Sequence, residues 1–208
     1  MSNPFADLPR HHYGAILADP PWKFCNWSRR PWWERTDANT SRAVERHYNT
    51  ESAESLGALP VGELAAPDCV LFLWMVWPSM PEALRVIEAW DFTFKTAAFV
   101  WCKAHAGQLE MFEQSIPDQM GLGYWTRANT EACLLATRGK PKRLNADVRQ
   151  AIIAPRREHS RKPDGIHERI ERLVAGPYLE LFARQSDRPG WDYWGNETDK
   201  FRRAEAAE

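Results

Sequence analysis

The stretch Tyr13-Gly-Ala-Ile-Leu-Ala-Asp-Pro-Pro-Trp22 decides how this chain is read. Tyr13 to Ala18 is short and continuously apolar, as a buried strand requires, and Asp19-Pro20-Pro21 stops it at once because proline fixes φ and carries no amide hydrogen. The corner that remains offers acceptors only, the Asp19 carboxylate and the Pro20 carbonyl, beside the flat indole of Trp22. In open α/β sheets ligands bind beyond the carboxyl ends of strands. A donor-free corner at that place suits a planar ligand carrying an NH2 group, whose hydrogens it would accept while the ring stacks on the indole. Two readings of the tetrapeptide stand side by side: a stiff turn after a strand, and an amine grip.

Outward from this strand, short apolar runs alternate with amphipathic stretches. Cys69 to Trp74, Phe92 to Trp101, Glu131 to Thr137, Gln150 to Ala154 and Tyr178 to Phe182 read as strands, with Trp191 to Gly195 leading into a last one. Ser79 to Trp90 reads as a helix with Ala83, Leu84, Ile87 and Trp90 on one face and Ser79 as its cap. Pro163 to Val174 reads as a second helix, with Ile166, Ile170, Leu173 and Val174 inward and proline in its first turn. This alternation predicts an α/β sheet with helices on both faces, in a single domain spanning residues 1–208. Residues 1–13 and 199–208 are expected to be loosely ordered ends. Residues 23–49 and 103–129 lack periodicity and are expected to serve the substrate side.

Composition bounds the rest. Among 208 residues, 44% are hydrophobic and 26% charged, which excludes wholesale disorder. The longest apolar run, Cys69 to Trp77, is too short to span a bilayer, and no secretion signal opens the chain. Cys25, Cys69, Cys102 and Cys133 form no CxxC pair, so reduced thiols and a cytoplasmic location are expected. Cys102 and His105 have no second pair at zinc spacing, so no metal is assigned. The net charge is -1, yet Arg138 to Lys162 holds nine basic residues against Asp147 and Glu158 alone. That window is either a solvated face or a contact for a polyanion.

The chemistry of such a corner is specific. The lone pair of a nucleobase amine is delocalised into the ring. Two fixed acceptors can draw its hydrogens out of plane and leave the nitrogen aimed at an in-line methyl sulfonium, by positioning and electrostatics alone. The second half of the chain supplies a matching nucleoside site. Tyr178-Leu-Glu-Leu-Phe182 ends in Ala183-Arg184, and Asn196-Glu197 follows about fifteen residues later. A strand, a turn with a small residue and a distal acid is the logic of ribose binding. No GxGxxG is present, which fits a nucleoside without phosphates such as S-adenosylmethionine.

In order along the chain come Asp19-Pro-Pro-Trp22, Asn129-Thr-Glu-Ala132, His159-Ser-Arg-Lys-Pro-Asp164, Glu180-Leu-Phe-Ala-Arg184 and Trp194-Gly-Asn-Glu197. Over residues 13 to 198 this set resembles the adenine N6-methyltransferases related to the catalytic subunit of the eukaryotic messenger-RNA methyltransferase, in a small bacterial or phage version. The resemblance implies a Rossmann-like class I S-adenosylmethionine-dependent methyltransferase in permuted order, with the catalytic motif ahead of the cofactor motif. It implies that Asp19 and Pro20 hold the target amine and that Pro21 and Trp22 wall the base. It also implies that Lys162 contacts the methionine end of the cofactor, that Phe182 and Arg184 line its nucleoside pocket, and that Asn196 and Glu197 bind the ribose. Asp19 borders the cofactor as well. Residue types alone would make Lys162 a solvated helix-edge lysine and Arg184 a surface ion pair. Longer relatives carry a further strand upstream of the catalytic one, so some contacts to the cofactor's adenine stay unassigned.

An adenine inside a duplex cannot reach a concave corner, so the base is flipped out or the strand is single. Lys23, Trp27, Arg29 and Arg30 interleave charge with aromatic rings, which suits an unstacked strand or else forms a hydrophobic lid. Arg156, Arg157 and Arg161 in the basic window are further candidate strand contacts. Glu131 is either part of the substrate site or a partner for Arg127. DNA is expected over RNA from the small size and the bacterial or phage resemblance, and tryptophans in the long segments point to a homodimer. Cytosine amine methylation uses the same chemistry, and the adenine reading rests on the resemblance. The intact Asp19 corner argues against a non-catalytic nucleic-acid-binding subunit. No cysteine follows a strand in a Pro-Cys corner, which argues against C5 chemistry.

Overall fold

The computed structural model describes residues 3–22, 51–104, 125–156, 161–196 and 198. Lys23, Trp27, Arg29, Arg30, Arg157 and Glu197 lie outside the described residues. Within them the chain runs β1 (Tyr13–Ala18), α1 (Ala53–Gly57), β2 (Ala65–Met75), α2 (Met80–Ala89), β3 (Thr93–Ala104), β4 (Thr130–Arg138), β5 (Ala151–Pro155), α3 (Ile166–Leu173), β6 (Tyr178–Leu181) and β7 (Trp191–Trp194). All seven strands join one sheet in the order β5-β3-β4-β2-β1-β6-β7. β1 is central and parallel to both β2 and β6, β7 is parallel to β6, and β5 is parallel to β3. β4 alone among the described strands runs against its neighbours, β2 and β3. The carboxyl ends of the other six therefore share one edge of the sheet.

The continuous apolar character of β1 follows from burial on both sides. Ile16 and Ala18 join the core under α1 and α2, with Leu71, Leu73, Val86, Ile87 and Trp90. Ala15 and Leu17 join the core under α3, with Phe72, Trp74, Phe99, Ile166 and Ile170. Each large buried side chain contributes about 1.5–3 kcal/mol relative to exposure. Helices on both faces, as the alternation predicts, are thus what the two apolar faces demand. α1, a five-residue helix under α2, has no apolar periodicity long enough to announce it. It is held by Ser52, whose Oγ accepts from Ser55 N, and by Trp90, whose Nε1 donates to the Leu56 carbonyl at 2.8 Å.

Some local expectations give way. Ser79 does not cap α2: it sits in a 3-10 turn (Trp77–Ser79) at φ -95° and ψ 13° rather than in the extended conformation a capping side chain needs, and its buried Oγ has no partner. α3 begins at Ile166, after a turn in which Ile166 N reaches Pro163 O at 3.3 Å, so Pro163 precedes the helix. Residues 3–12 are docked rather than loose. Phe5 is buried with its ring edge-on to Trp194 at 4.9 Å, and Trp194 Nε1 donates to the Pro4 carbonyl at 3.0 Å. No described helix is long and apolar enough to cross a membrane.

The basic window does not form one patch, because the strands that carry it run in opposite directions. β4 delivers Arg138 to the edge opposite Asp19, where it pairs with Asp91 at 3.2 Å and donates to the Gly62 carbonyl. Lys140 N donates to Asp68 at that same far edge. The chain then packs along the end of α3, with Leu144 N on Leu173 O at 2.8 Å and Arg172 paired to Asp147 at 2.6 Å. Only after β5 does it return Arg156, Arg161 and Lys162 to the Asp19 edge.

Candidate active site

β1 and β6 are hydrogen-bonded neighbours with Ala18 opposite Leu181, so the two turns that follow them open side by side. Asp19 N reaches Leu181 O at 3.4 Å. A cavity of about 380 Å³ lies there, walled by Asp19, Trp74, Lys162, Glu180, Phe182 and Arg184 among others. That volume is in the range of small-molecule sites.

The corner after β1 is stiffer than its prolines alone would make it. Trp22 N donates to Pro20 O at 2.9 Å, Glu51 N donates to Pro21 O at 2.9 Å, and Trp22 Nε1 donates to the Trp74 carbonyl at 2.7 Å. The Pro20 carbonyl keeps a second lone pair. Trp22 differs from the expectation of a free stacking plate: it is 6% exposed and belongs to the core under α1 and α2. Its body is spent on packing and its N–H on the tip of β2, so it acts as the anchor that fixes Asp19. Trp22→Phe removes the bond and leaves a void where the second ring of the indole packed, and is expected to cost about 1–3 kcal/mol for the bond and more for the void in a denaturant titration.

Electrostatics converge on Lys162. Its Nζ lies 2.9 Å from Asp19 Oδ1 and 3.4 Å from Glu131 Oε2, and 5.5 Å from the centre of the Trp74 ring. Glu131 Oε1 in turn holds Lys103 Nζ at 2.6 Å, so Lys103, Glu131, Lys162 and Asp19 form one row of alternating charge across the tips of β3, β4 and β1. Burial disfavours the Glu131 carboxylate, but Lys162 and then Lys103 outweigh it and hold its pKa down at about 2. Burial likewise opposes the Lys162 charge, and Asp19 and Glu131 overcome it, so the ammonium is held charged. Lys162 is thus no solvated lysine, and Glu131 pairs with two lysines rather than with Arg127. The thiol of Cys133, fully buried on β4, is pushed up by burial and then by Asp19, and stays protonated.

The turn after β6 has its own constraint. Phe182 takes φ 60°, a left-handed conformation rare for a bulky residue and common at functional turns. The sequence points to Ala183 as the small residue of this turn. The structure gives the close approach to Ala183 and Gly195 together, because Ala183 N donates to Trp194 O at 3.0 Å and a Cβ on Gly195 would stand 2.6 Å from Ala183 O. His167 Nε2 lies 2.7 Å from Glu180 Oε2 in the cavity wall and edge-on to Trp191 at 4.6 Å.

Residues 13–197 match the MT-A70 family. The chain belongs to that family. It is 32% identical over 205 residues to the type II methyltransferase M.MunI of a Mycoplasma species, an alignment covering 93% of this chain and 81% of that protein. It is 28% identical over 190 residues to the human N(6)-adenosine-methyltransferase catalytic subunit METTL3, covering 90% of this chain and 28% of that protein. An Arabidopsis thaliana protein named N(6)-adenosine-methyltransferase MT-A70-like is 29% identical over 195 residues, covering 91% of this chain and 24% of its own length. The chain thus spans most of the first relative and about a quarter of the two eukaryotic ones.

Within this family member, Asp19, Lys162, Phe182 and Arg184 share one cavity. Asn196 follows β7, one strand further out, and is exposed; it is not among the residues walling the cavity. Arg161 sits in the cavity wall with a side chain 10% exposed, whereas Arg156 is exposed beyond β5. Among the described residues no group of His, Cys, Asp and Glu could hold a metal ion. Sequence reasoning missed Trp74, Lys103 and His167. The first two stand at or just beyond the ends of recognised strands, a place the strand-end rule could have searched. His167 carries no signal of its own.

Proposed function

We propose that this protein transfers a methyl group from S-adenosylmethionine to the exocyclic N6 of an adenine in DNA. The observation that carries this reading is the pairing of β1 with β6, which sets an acceptor-only corner and a nucleoside-type turn against one shared cavity. We read the domain as a Rossmann-like class I methyltransferase in permuted order, a reading supported by the Asp19 strand, which precedes the Phe182 strand in the chain and lies beside it in the sheet.

The wall residues suit the methyl donor. Its amino-acid end is zwitterionic, and the cavity offers Lys162, Arg161 and Arg184 for a carboxylate and Glu180, Asp164 and Asp187 for an ammonium. The Nε1 of Trp74, buried in the same wall without a partner, is a donor that a ligand acceptor would satisfy. When bound, S-adenosylmethionine supplies an electrophilic methyl on a sulfonium. Asp19 and Pro20 accept the two amine hydrogens and aim the nitrogen, while Lys162 holds the Asp19 carboxylate in place through Oδ1 and leaves Oδ2 for the amine. Phe182 and Arg184 line the nucleoside side, with Asn196 and Glu197 toward the ribose.

DNA is favoured over RNA by the likeness to a type II methyltransferase, 32% identical over 205 residues and 81% of that protein. Incubation with labelled S-adenosylmethionine and adenine-containing single-stranded and duplex DNA and RNA, followed by identification of the modified nucleoside, tests the reading. Label on N6 of deoxyadenosine is expected; label on cytosine or no label on any polymer overturns it. Arg156, exposed at the same edge, is taken with Arg157 as a phosphate contact. Replacing both by alanine is expected to weaken DNA binding and to flatten the slope of log Kd against log salt by about 1.4–1.8, at 0.7–0.9 per phosphate. Identical salt series for mutant and parent would remove this contact.

A further inference from the structure

We propose that Trp77 is a stacking platform for the nucleobase next to the target adenine, an inference that rests on the nucleic-acid methyltransferase reading above. Most of the other tryptophans among the described residues are used up inside the fold. Trp22, Trp74, Trp90, Trp101 and Trp191 are all 6% exposed or less. Trp77 is 45% exposed, yet it is not loose: its Nε1 donates to Thr130 Oγ1 at 2.9 Å. A large π-face held in solvent by a single bond at its edge has its orientation settled in advance, which is what a stacking surface needs.

Its place is set by register. Met75 on β2 opposes Ala132 on β4, and continuing that antiparallel count sets Trp77 against Thr130. The next residue, Glu131, touches Lys162, and Lys162 touches Asp19. Trp77 therefore stands just beyond the catalytic corner on the neighbouring strand, outside the cavity that takes the cofactor. Exposed Trp125 and Arg127 lie on the run into β4 at this same edge, and Lys103 ends β3 beside it, its N donating to Asn129 O at 2.9 Å. Aromatic faces interleaved with cations match a polyanionic strand with splayed bases, and stacking of this kind tolerates any base.

The test uses the whole chain and a short labelled single-stranded DNA with one adenine, compared with the same oligonucleotide made abasic on both sides of that adenine. Binding is read by anisotropy, with S-adenosylmethionine affinity read separately by calorimetry. Trp77→Ala is expected to weaken binding of the intact oligonucleotide about 5- to 100-fold. It should leave cofactor affinity unchanged and have little effect on the abasic-flanked one. Thr130→Val, which keeps the indole but frees it, and Trp77→Phe, which keeps a smaller π-face and also lacks the bond, are both expected to fall between parent and Trp77→Ala, with Thr130→Val no weaker than Trp77→Phe. Unchanged binding in Trp77→Ala, or equal weakening on both oligonucleotides, overturns the inference. The titration needs no turnover. If the parent chain methylates no adenine, the enzymatic reading fails while the contact at Trp77 is still decided.

Discussion

Asp19→Ala is expected to lose methyl transfer by about 10²–10³-fold while binding S-adenosylmethionine within several-fold of the parent. That magnitude is typical of removing one preorganised group that meets charge developing in the transition state. The amine nitrogen gains positive charge as the methyl arrives, and its hydrogens are shared with Asp19 and the Pro20 carbonyl. Without the carboxylate only Pro20 remains, and Pro20 is already partly engaged by Trp22 N at 2.9 Å. Cofactor affinity changes less because Lys162, freed from Asp19, keeps Glu131 at 3.4 Å and stays charged in the cavity wall. Single-turnover transfer from labelled cofactor and calorimetric binding separate the two effects. Full activity in this variant would end the assignment of Asp19 as a catalytic residue.

The second large effect is on stability. Glu131→Ala leaves Lys103 and Lys162, whose side chains are about one-fifth exposed, as two like charges with no carboxylate between them, Asp19 lying on the far side of Lys162. Removing one partner from a buried pair costs about 3–5 kcal/mol, because an uncompensated charge remains. For a chain of this size that is a fall in Tm of about 6–20 °C. The same carboxylate sets an acid limb. Its pKa in the fold, about 2, lies below the ordinary 4.5, so its contribution is fully present above pH 4.5 and is lost as pH falls toward 2. Stability of the parent should drop by roughly 3 kcal/mol across that window from this residue alone. Glu131→Gln should show a shallower acid limb, and identical pH profiles would mean that the lysines do not depend on Glu131.

How much could be read in advance differs residue by residue. The strand Tyr13–Ala18 and its abrupt end were legible because β1 is buried on both faces, so hydrophobicity and chain direction tell the same story without a partner being known. Asp19 was legible for a related reason: a carboxylate forced to a strand end by two prolines has few structural uses. Trp22 reads as an open plate in the sequence and is a core residue in the fold, because composition cannot say which side of a corner faces the core. The basic window looked continuous, yet β4 and β5 carry its two ends to opposite edges, and strand direction is a property of pairing. Phe182 could not be picked out as the left-handed residue, since neighbouring Ala183 looks the better candidate until Gly195 and Trp194 pack against it.

Local covalent chemistry and apolar period, both short-range, were enough to define the strands, the donor-free turn after the first of them and the α/β layering, because each depends only on neighbours in the chain. The row from Lys103 through Glu131 and Lys162 to Asp19 joins residues up to 143 positions apart in sequence. Only the sheet order β3-β4-β2-β1-β6 brings them within contact, and only the burial that comes with it makes their charges strong enough to hold one another.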